Sequence, residues 1–416
     1  MKTSYPKESY NILMLAPTMF FADYGCHVRI LEESIVLREM GHKVEILTYP
    51  NGRDIANLNI RRSVGVPFNY RIEVGSSRHK IYLDMLLGLK SLLRVIVNKP
   101  DIIHAHLHEG ALLGWLLSKL TKAPLIFDFQ GSLTAEMTDH NFIKHDSLFL
   151  KPLYWLEEQI DHSAKAVLTS SFHAARLLQK EFGVSPGRVH PTPDSVNSDT
   201  FSSALFSESE KLSLKQQLVI PTEKQVLVYL GLLTEYQGTG HLLKALQIIK
   251  SHRQDVHLLL MGFPAVKYYQ AIAHELGVAD SVTFTGKIFY EDAPRYLALG
   301  DIAIAPKLSA TEGSGKILNY MSMALPTVAF DTPVSREYLR GYGIYAKKHT
   351  PESLAIAIND TLDIPLESRQ KLGNMLRKRV MSRYTWQKVG KQIETVYTAV
   401  LAGHPQPAFV VDRATI

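Results

Sequence analysis

The residues best suited to chemistry lie in one stretch, Ile302–Leu339, which reads IAIAPKLSATEGSGKILNYMSMALPTVAFDTPVSREYL. An apolar strand ends at Pro306. A loop then carries Glu312, Gly313, Ser314, Gly315 and Lys316, and a helix is expected over 315–323. Small residues let backbone N–H groups approach an anion, and a helix N-terminus adds a favourable dipole. Lys316 supplies full charge at the same place, and Lys307, at the end of the strand, is the next cation by sequence. Glu312 is suited to accept hydrogen bonds from sugar hydroxyls. Together these groups suit a sugar diphosphate. A loop of this kind can also simply turn a strand into a helix. Here the Glu, the Lys, the strand Ala-Leu-Pro-Thr-Val-Ala and the turn Asp331-Thr332-Pro333 all follow in order, which argues against that reading.

A second set is His104, His106 and His108, where a short apolar strand opens into a loop. Imidazole there can hydrogen-bond a sugar or tune protons near neutrality. For His104 the favoured reading is a satisfied core residue; for His106 it is the site. Spacing of two with no clustered ligand set does not suggest zinc. Glu109 and Asp128 are weaker candidates near the same place. The chain has no Asp-x-Asp, a pattern that commonly holds a divalent metal against a diphosphate. The expectation is therefore a site without metal or other cofactor, in which Lys and the helix dipole stabilise the leaving group.

The elements that must position these residues alternate strand and helix. Asn11–Ala16 reads as a buried parallel strand, 28–40 as a helix stopped by Gly41, and Lys43–Thr48 as the next strand, one βαβ unit. Further strands are expected at 101–104, Leu125–Phe129 and 166–170, with helices at 82–97, 111–120 and 172–182. The segment 191–205 is rich in Pro, Ser, Asp and Asn, as a linker is, and the rhythm then restarts at 226–231. Strands are expected again at 257–262, Val282–Gly286, 301–305 and Thr327–Phe330, with a helix at 241–251. This predicts two doubly wound α/β domains, with the ligand site in the cleft between their strand C-termini.

The bulk properties agree. A chain of 416 residues suggests two domains at roughly 100 to 200 residues each. The single cysteine, Cys26, excludes an intrachain disulfide, so nothing points to an oxidising compartment. No apolar run approaches the ~18 residues of a membrane span. Net charge is +6, mildly basic, but no arginine-rich tract or zinc spacing supports nucleic acid. A cytoplasmic protein is expected. The apolar segment 81–97, with Lys80, Lys90, Arg94 and Lys99 around it, admits two readings. A helix packed on a parallel sheet is favoured, because such helices are apolar anyway; the other is peripheral contact with an anionic membrane on its cytoplasmic face.

The Ile302–Leu339 stretch resembles the donor site of family 4 retaining glycosyltransferases of the GT-B fold, whose pattern is Glu-Gly-Phe-Gly, a helix with a second Glu, then Gly-x-Pro-x-Val. Other segments match in order: Gly25 before a helix, Asp101-Ile102-Ile103-His104-Ala105-His106, Val282–Gly286, and Tyr384-Thr385-Trp386 ahead of a last helix. The resemblance implies two Rossmann-like domains facing across a cleft, 1–200 on the acceptor side and 201–386 binding the donor, with a C-terminal helix 387–416 crossing back to the first. It implies hexosyl transfer from a nucleotide-sugar with retention, to a glycolipid or saccharide acceptor. By the same likeness His106 and Glu312 are the catalytic candidates. Gly231, Lys307, Gly313, Ser314, Gly315, Lys316, Asn319, Tyr320 and Glu337 are donor-side, and Gly25, His108 and Gln130 acceptor-side.

Three departures stand out. Leu232 and Gln237 occupy the two positions where the family carries Arg and Lys to grip the diphosphate. The second Glu is replaced, by Tyr320 on strict spacing or by Asn319 on the helix alignment. Gln130 stands where many members have His. A nucleotide-sugar epimerase, or a nucleotide-sugar-binding protein with weak or no turnover, are the alternative readings.

Overall fold

The computed structural model describes residues 9–65, 80–139, 142–144, 146–309 and 312–404. The first domain is a parallel sheet of β1 (Asn11–Ala16), β2 (Lys43–Thr48), β3 (Asn59–Arg62), β4 (Ile102–His106), β5 (Leu125–Phe129), β6 (Ala166–Thr169) and β7 (Val189–Pro191), in the order β3-β2-β1-β4-β5-β6-β7. The second contains β8 (Gln225–Leu230), β9 (Val256–Met261), β10 (Val282–Gly286), β11 (Ile302–Ala305), β12 (Thr327–Phe330) and β13 (Ile344–Ala346), in the order β10-β9-β8-β11-β12-β13. Every strand pair is parallel. The chain reverses its winding between β1 and β4 and again between β8 and β11, so each sheet opens a crevice there. The central strands β4, β5, β9, β11 and β12 are buried along their whole length, which is why they are mostly apolar without alternation; the polar side chains His104, His106 and Asp128 that they carry are buried too.

Strand ends and helix starts are tighter than sequence pattern suggested. β4 runs to His106 and the following helix, Leu107–Thr121, begins at once, so His106 ends a strand. The first helix is Gly25–Glu39, with Arg29, Glu32 and Glu33 buried along it.

The last helix, Trp386–Ala402, crosses back to the first domain as the resemblance implied; 405–416 lie outside the described residues. Trp386, Val389, Ile393 and Tyr397 share a core with Ile30, Leu37 and the strand residues Ile12, Met14 and Ile126. Gly390 permits close approach to the first helix: a Cβ there would stand 2.7 Å from a Val36 methyl. The two crossover segments also pair, Val196 with Thr385. Across the cleft the domains meet on both sides. Asp23 accepts from Arg53 and from the Tyr290 N–H and pairs with Lys287, while the Tyr338 hydroxyl donates to the Ser170 carbonyl.

Candidate functional site

The C-terminal ends of β1, β4, β8 and β11 open on one cavity of about 310 Å³ between the domains. Its second-domain wall holds Gly231, Leu232, Tyr236, Gln237, Lys307, Glu312, Gly313, Ser314, Gly315, Lys316 and Asn319. Its first-domain wall includes Gly25, Cys26, Lys80, His108, Glu109, Gln130, Gly131 and Glu136. The loop after β11 therefore delivers its residues to the cavity as its composition implied.

Lys316 sits in the first turn of the helix Gly315–Ser322 and reaches back over the end of β8. Its Nζ donates to the Gln237 Oε1 at 2.8 Å and the Tyr229 hydroxyl at 3.2 Å, and lies 4.3 Å from the Tyr229 ring centre. Burial, with Lys307 beside it, pushes the Lys316 amine well below its usual range, against the pull of Glu312. Gly231 makes room: its φ is +155°, and a Cβ there would meet Lys316 Nζ at 2.5 Å. Gln237, at a position the family fills with a cation, thus orients the cation that is present. Lys307 holds the loop from the other side, with Nζ 2.6 Å from Glu312 Oε2 and 2.7 Å from the Gly313 carbonyl. The Ser314 hydroxyl is buried and has no hydrogen-bond partner among the described residues. Gly313 lies where a Cβ would come 2.2 Å from Asp194 Oδ2 of the first domain, so a larger residue would hold the domains apart.

Facing this loop is a carboxylate cluster of Glu109, a weaker candidate from sequence, and Glu136, which sequence reasoning did not single out. Glu136, on the helix Leu133–Asp139, is pushed up to about 7 by burial and by the negative charge of Glu312. Lys80 bonds Glu109 at 2.6 Å. Glu136 follows Gln130 closely in sequence but carries no local signature of its own. A carboxyl that ionises near neutrality accepts from an acceptor hydroxyl more strongly once ionised, so it orients that hydroxyl best above that pH. Turnover is therefore expected to rise through about pH 7, and Glu136→Gln to flatten that limb. A pH–rate profile unchanged by the substitution would remove Glu136 from this role. The same shift favours the protonated folded state, so this group's stabilisation is full below the unfolded value, near 4.5, and declines as pH rises to about 7.

Several expected residues are used elsewhere. His106 is fully buried at the end of β4 and does not line the cavity. Its Nδ1 lies 2.9 Å from Asp128 Oδ2, and its ring stacks on His104 at 4.5 Å. His104 is a core residue, 2.6 Å from the Tyr397 hydroxyl of the returning helix. His108 lines the cavity, but its Nε2 lies 3.4 Å from Asp161 and 3.7 Å from Glu157 behind the wall. Tyr320 is not a cavity residue: it is buried, and its hydroxyl accepts from the Leu230 N–H at 2.8 Å. Asn319 alone of the two alternatives lines the cavity. Glu337 is displaced from the donor side. Its two oxygens accept from the N–H groups of Phe172 and His173, both at 2.9 Å, so it caps a first-domain helix and ties the domains together. Gln130 lines the cavity and donates to Asp128 at 2.8 Å.

Arg29 joins these groups from the cavity wall, which it lines together with Asp194. Its guanidinium contacts Asp128 at 2.7 Å, Glu33 at 3.0 Å and Asp194 at 3.2 Å, and donates to the Thr192 carbonyl at 2.9 Å. Burial opposes ionisation of Asp128, but Arg29 and His106 outweigh it and hold the carboxyl below its usual range. Burial also pushes His104 well below its usual range, helped by His106. Two clusters bring potential metal ligands together, Glu33-His104-His106-Asp128 and His108-Glu157-Asp161, which the spacing of the histidines alone did not reveal. In the first, Arg29 already supplies the positive charge. Among the described residues no helix is long and apolar enough to cross a membrane.

Residues 210–379 match the family model described as Glycosyl transferases group 1, and residues 25–194 match that of the Glycosyl transferase 4-like domain. The chain is 23% identical over 390 residues to the alpha-D-kanosaminyltransferase of Streptomyces kanamyceticus, covering 90% of this chain and 98% of that protein. Sucrose-phosphate synthase from Thermosynechococcus elongatus superposes with a TM-score of 0.80 at 17% identity, over 95% of this chain and all of that one (100%). The Anabaena protein HepE, in complex with UDP and glucose, superposes with a TM-score of 0.76 at 15% identity, over 94% of this chain and 100% of its own.

Proposed function

The chain belongs to the group 1 glycosyl transferases and is a glycosyltransferase of the GT-B fold, and from that premise we propose that it moves a hexosyl group from a nucleotide-sugar to a glycolipid or saccharide acceptor. We read the transfer as metal-independent and retaining, in peripheral contact with the cytoplasmic face of an anionic membrane. The observation that carries the donor reading is the convergence of Lys316, Lys307, the Ser314 hydroxyl, unpartnered among the described residues, and the start of the helix at Gly315 on one cavity. Such a wall offers an anion charge, a hydroxyl and free backbone N–H groups at one place. The solved relative that holds UDP and glucose supports a uridine donor.

In this reading the acceptor oxygen bonds to the anomeric carbon on the face the diphosphate leaves. The carbon–phosphate-oxygen bond breaks, and the acceptor proton passes to the departing phosphate oxygen. Lys316 and the helix start stabilise the charge that develops there, and Glu312 holds sugar hydroxyls. Asn319 takes the ribose hydroxyls in place of the family's Glu, and Gly25 and Gln130 border the acceptor. The test is donor consumption with UDP-, GDP- and ADP-sugars, followed by the anomeric configuration of the product. Turnover is expected to survive EDTA, with the donor's configuration kept. Activity lost to chelator and restored by magnesium or manganese would overturn the metal-free part, an inverted product the retaining part, and binding without turnover on any donor the assignment as a working transferase.

A further inference from the structure

The helices Lys80–Val97, Leu107–Thr121 and Leu150–Asp161 lie side by side on one face of the first sheet. Leu87, Leu117 and Ile160 from the three share a core with Leu15, Ile103 and Leu125 beneath. Their inner stripes are ordinary. Their outer stripes are not: Met85, Leu93, Trp115, Leu116, Phe149 and Trp155 are among the large apolar side chains left exposed there, Trp155 by 61%. Large apolar side chains exposed together on three adjacent helices are the mark of a docking face and not of scattered surface residues.

The charges around it choose the occupant. Lys99, Lys119, Lys122, Lys144 and Lys151 are exposed at its edges against one exposed carboxylate, Asp146, and none of the acidic residues within the three helices is exposed. Asp84 and Glu109 are held by Tyr49 and Lys80. Aromatic and aliphatic side chains rimmed by lysine suit the headgroup region of an anionic bilayer. A second copy of the chain, meeting face to face, would set lysines against lysines. The face is also continuous with the cavity, since Lys80, Leu107 and Glu109, the first residues of two of these helices, line its acceptor side.

We propose that this three-helix face docks on an anionic lipid bilayer and that the acceptor is a lipid held in that bilayer, its hydroxyl head entering the cleft past Lys80 and Glu109. The acceptor half rests on reading the cleft as a transferase site; the docking half does not. Only the first helix was apolar enough to be noticed from sequence. The helices at 107–121 and 150–161 join it because the sheet sets them side by side.

The experiment uses the full chain with vesicles of phosphatidylglycerol and of phosphatidylcholine, measured by co-sedimentation and tryptophan emission. Binding is expected to phosphatidylglycerol alone, to weaken at high salt, and to fall about tenfold or more in Leu116→Glu and Trp155→Glu. Both positions are exposed, so the melting temperature and its rise with UDP should not change. Failure of the wild type to bind, or full binding by both variants, overturns the face. Concentration-dependent self-association abolished by the same variants, without vesicle binding, gives the face to a second copy and also overturns it. For the acceptor half, labelled sugar should enter the chloroform-soluble fraction when vesicles of total bacterial lipid are supplied. Label found only in water-soluble saccharide overturns that half while leaving the transferase reading intact. Vesicle binding with no UDP stabilisation and no turnover means that the transferase reading has failed and the docking face stands.

Discussion

Arg29→Met is expected to destabilise the first domain by about 3–5 kcal/mol, lowering its melting temperature by roughly 6 to 20 °C. The guanidinium is the shared partner of Asp128, Glu33 and Asp194, which burial otherwise discourages from ionising. Removing it leaves three carboxyls around a methionine, those of Asp128 and Glu33 fully buried and that of Asp194 at the cavity wall. Met keeps much of the volume, so the loss reports charge and hydrogen bonding and not a cavity. The pH dependence gives a second check. Unpaired buried carboxyls cost most when ionised, so the deficit should be greatest near neutrality and shrink as pH falls and they take up protons. Arg29→Lys keeps the charge but not the fork that reaches Asp128, Asp194 and the Thr192 carbonyl together, and should fall between the two. Thermal melts of the three proteins at neutral and acid pH decide this. Equal melting of Arg29→Met and wild type at neutral pH would show that the network contributes nothing net.

Lys316→Met should reduce turnover and nucleoside diphosphate affinity by about tenfold to a hundredfold, since a charge-assisted hydrogen bond is worth roughly 1.5 to 3 kcal/mol. Free nucleoside should bind both proteins alike, because only the diphosphate meets the amine. The structure adds a dependence on pH. Burial and Lys307 disfavour the protonated amine in the empty site, whereas a diphosphate favours it. Diphosphate and proton therefore bind together, and wild-type affinity should fall as pH rises. Lys316→Met should lose that slope. Glu312→Gln should also slow turnover about tenfold to a hundredfold through weakened sugar binding, with diphosphate affinity kept. Titrations of UDP and uridine against both variants separate the roles. Unchanged diphosphate affinity in Lys316→Met would pass the role to Lys307, on the opposite side of the same loop.

The alternation of strand and helix, the break between the two wound halves, and the loop of Glu312 to Lys316 at a strand's end are legible in the residues alone. These are local signals: period, turn residues and small side chains at fixed spacing, and they survive because the central strands are buried on both faces. Spacing could not say which side chains share a cavity. His106 follows the family's pattern, yet it ends a strand and turns under the floor toward Asp128. Glu337 and Tyr320 stand near the donor loop in sequence, but backbone N–H groups at Phe172, His173 and Leu230 needed acceptors and took them. Arg29 and Glu136 gave no signal. A buried charge on an otherwise ordinary helix has no period of its own. Arg29 has Glu33 one turn along its helix, but the partners at 128 and 194 arrive only when the sheet forms, and Glu312 reaches Glu136 only when the domains meet. Tertiary structure likewise decided how Lys316 works without the family's two cations. Gln237 and Tyr229, 79 and 87 residues away, position its amine, and only the crossing of β8 beside β11 puts them there.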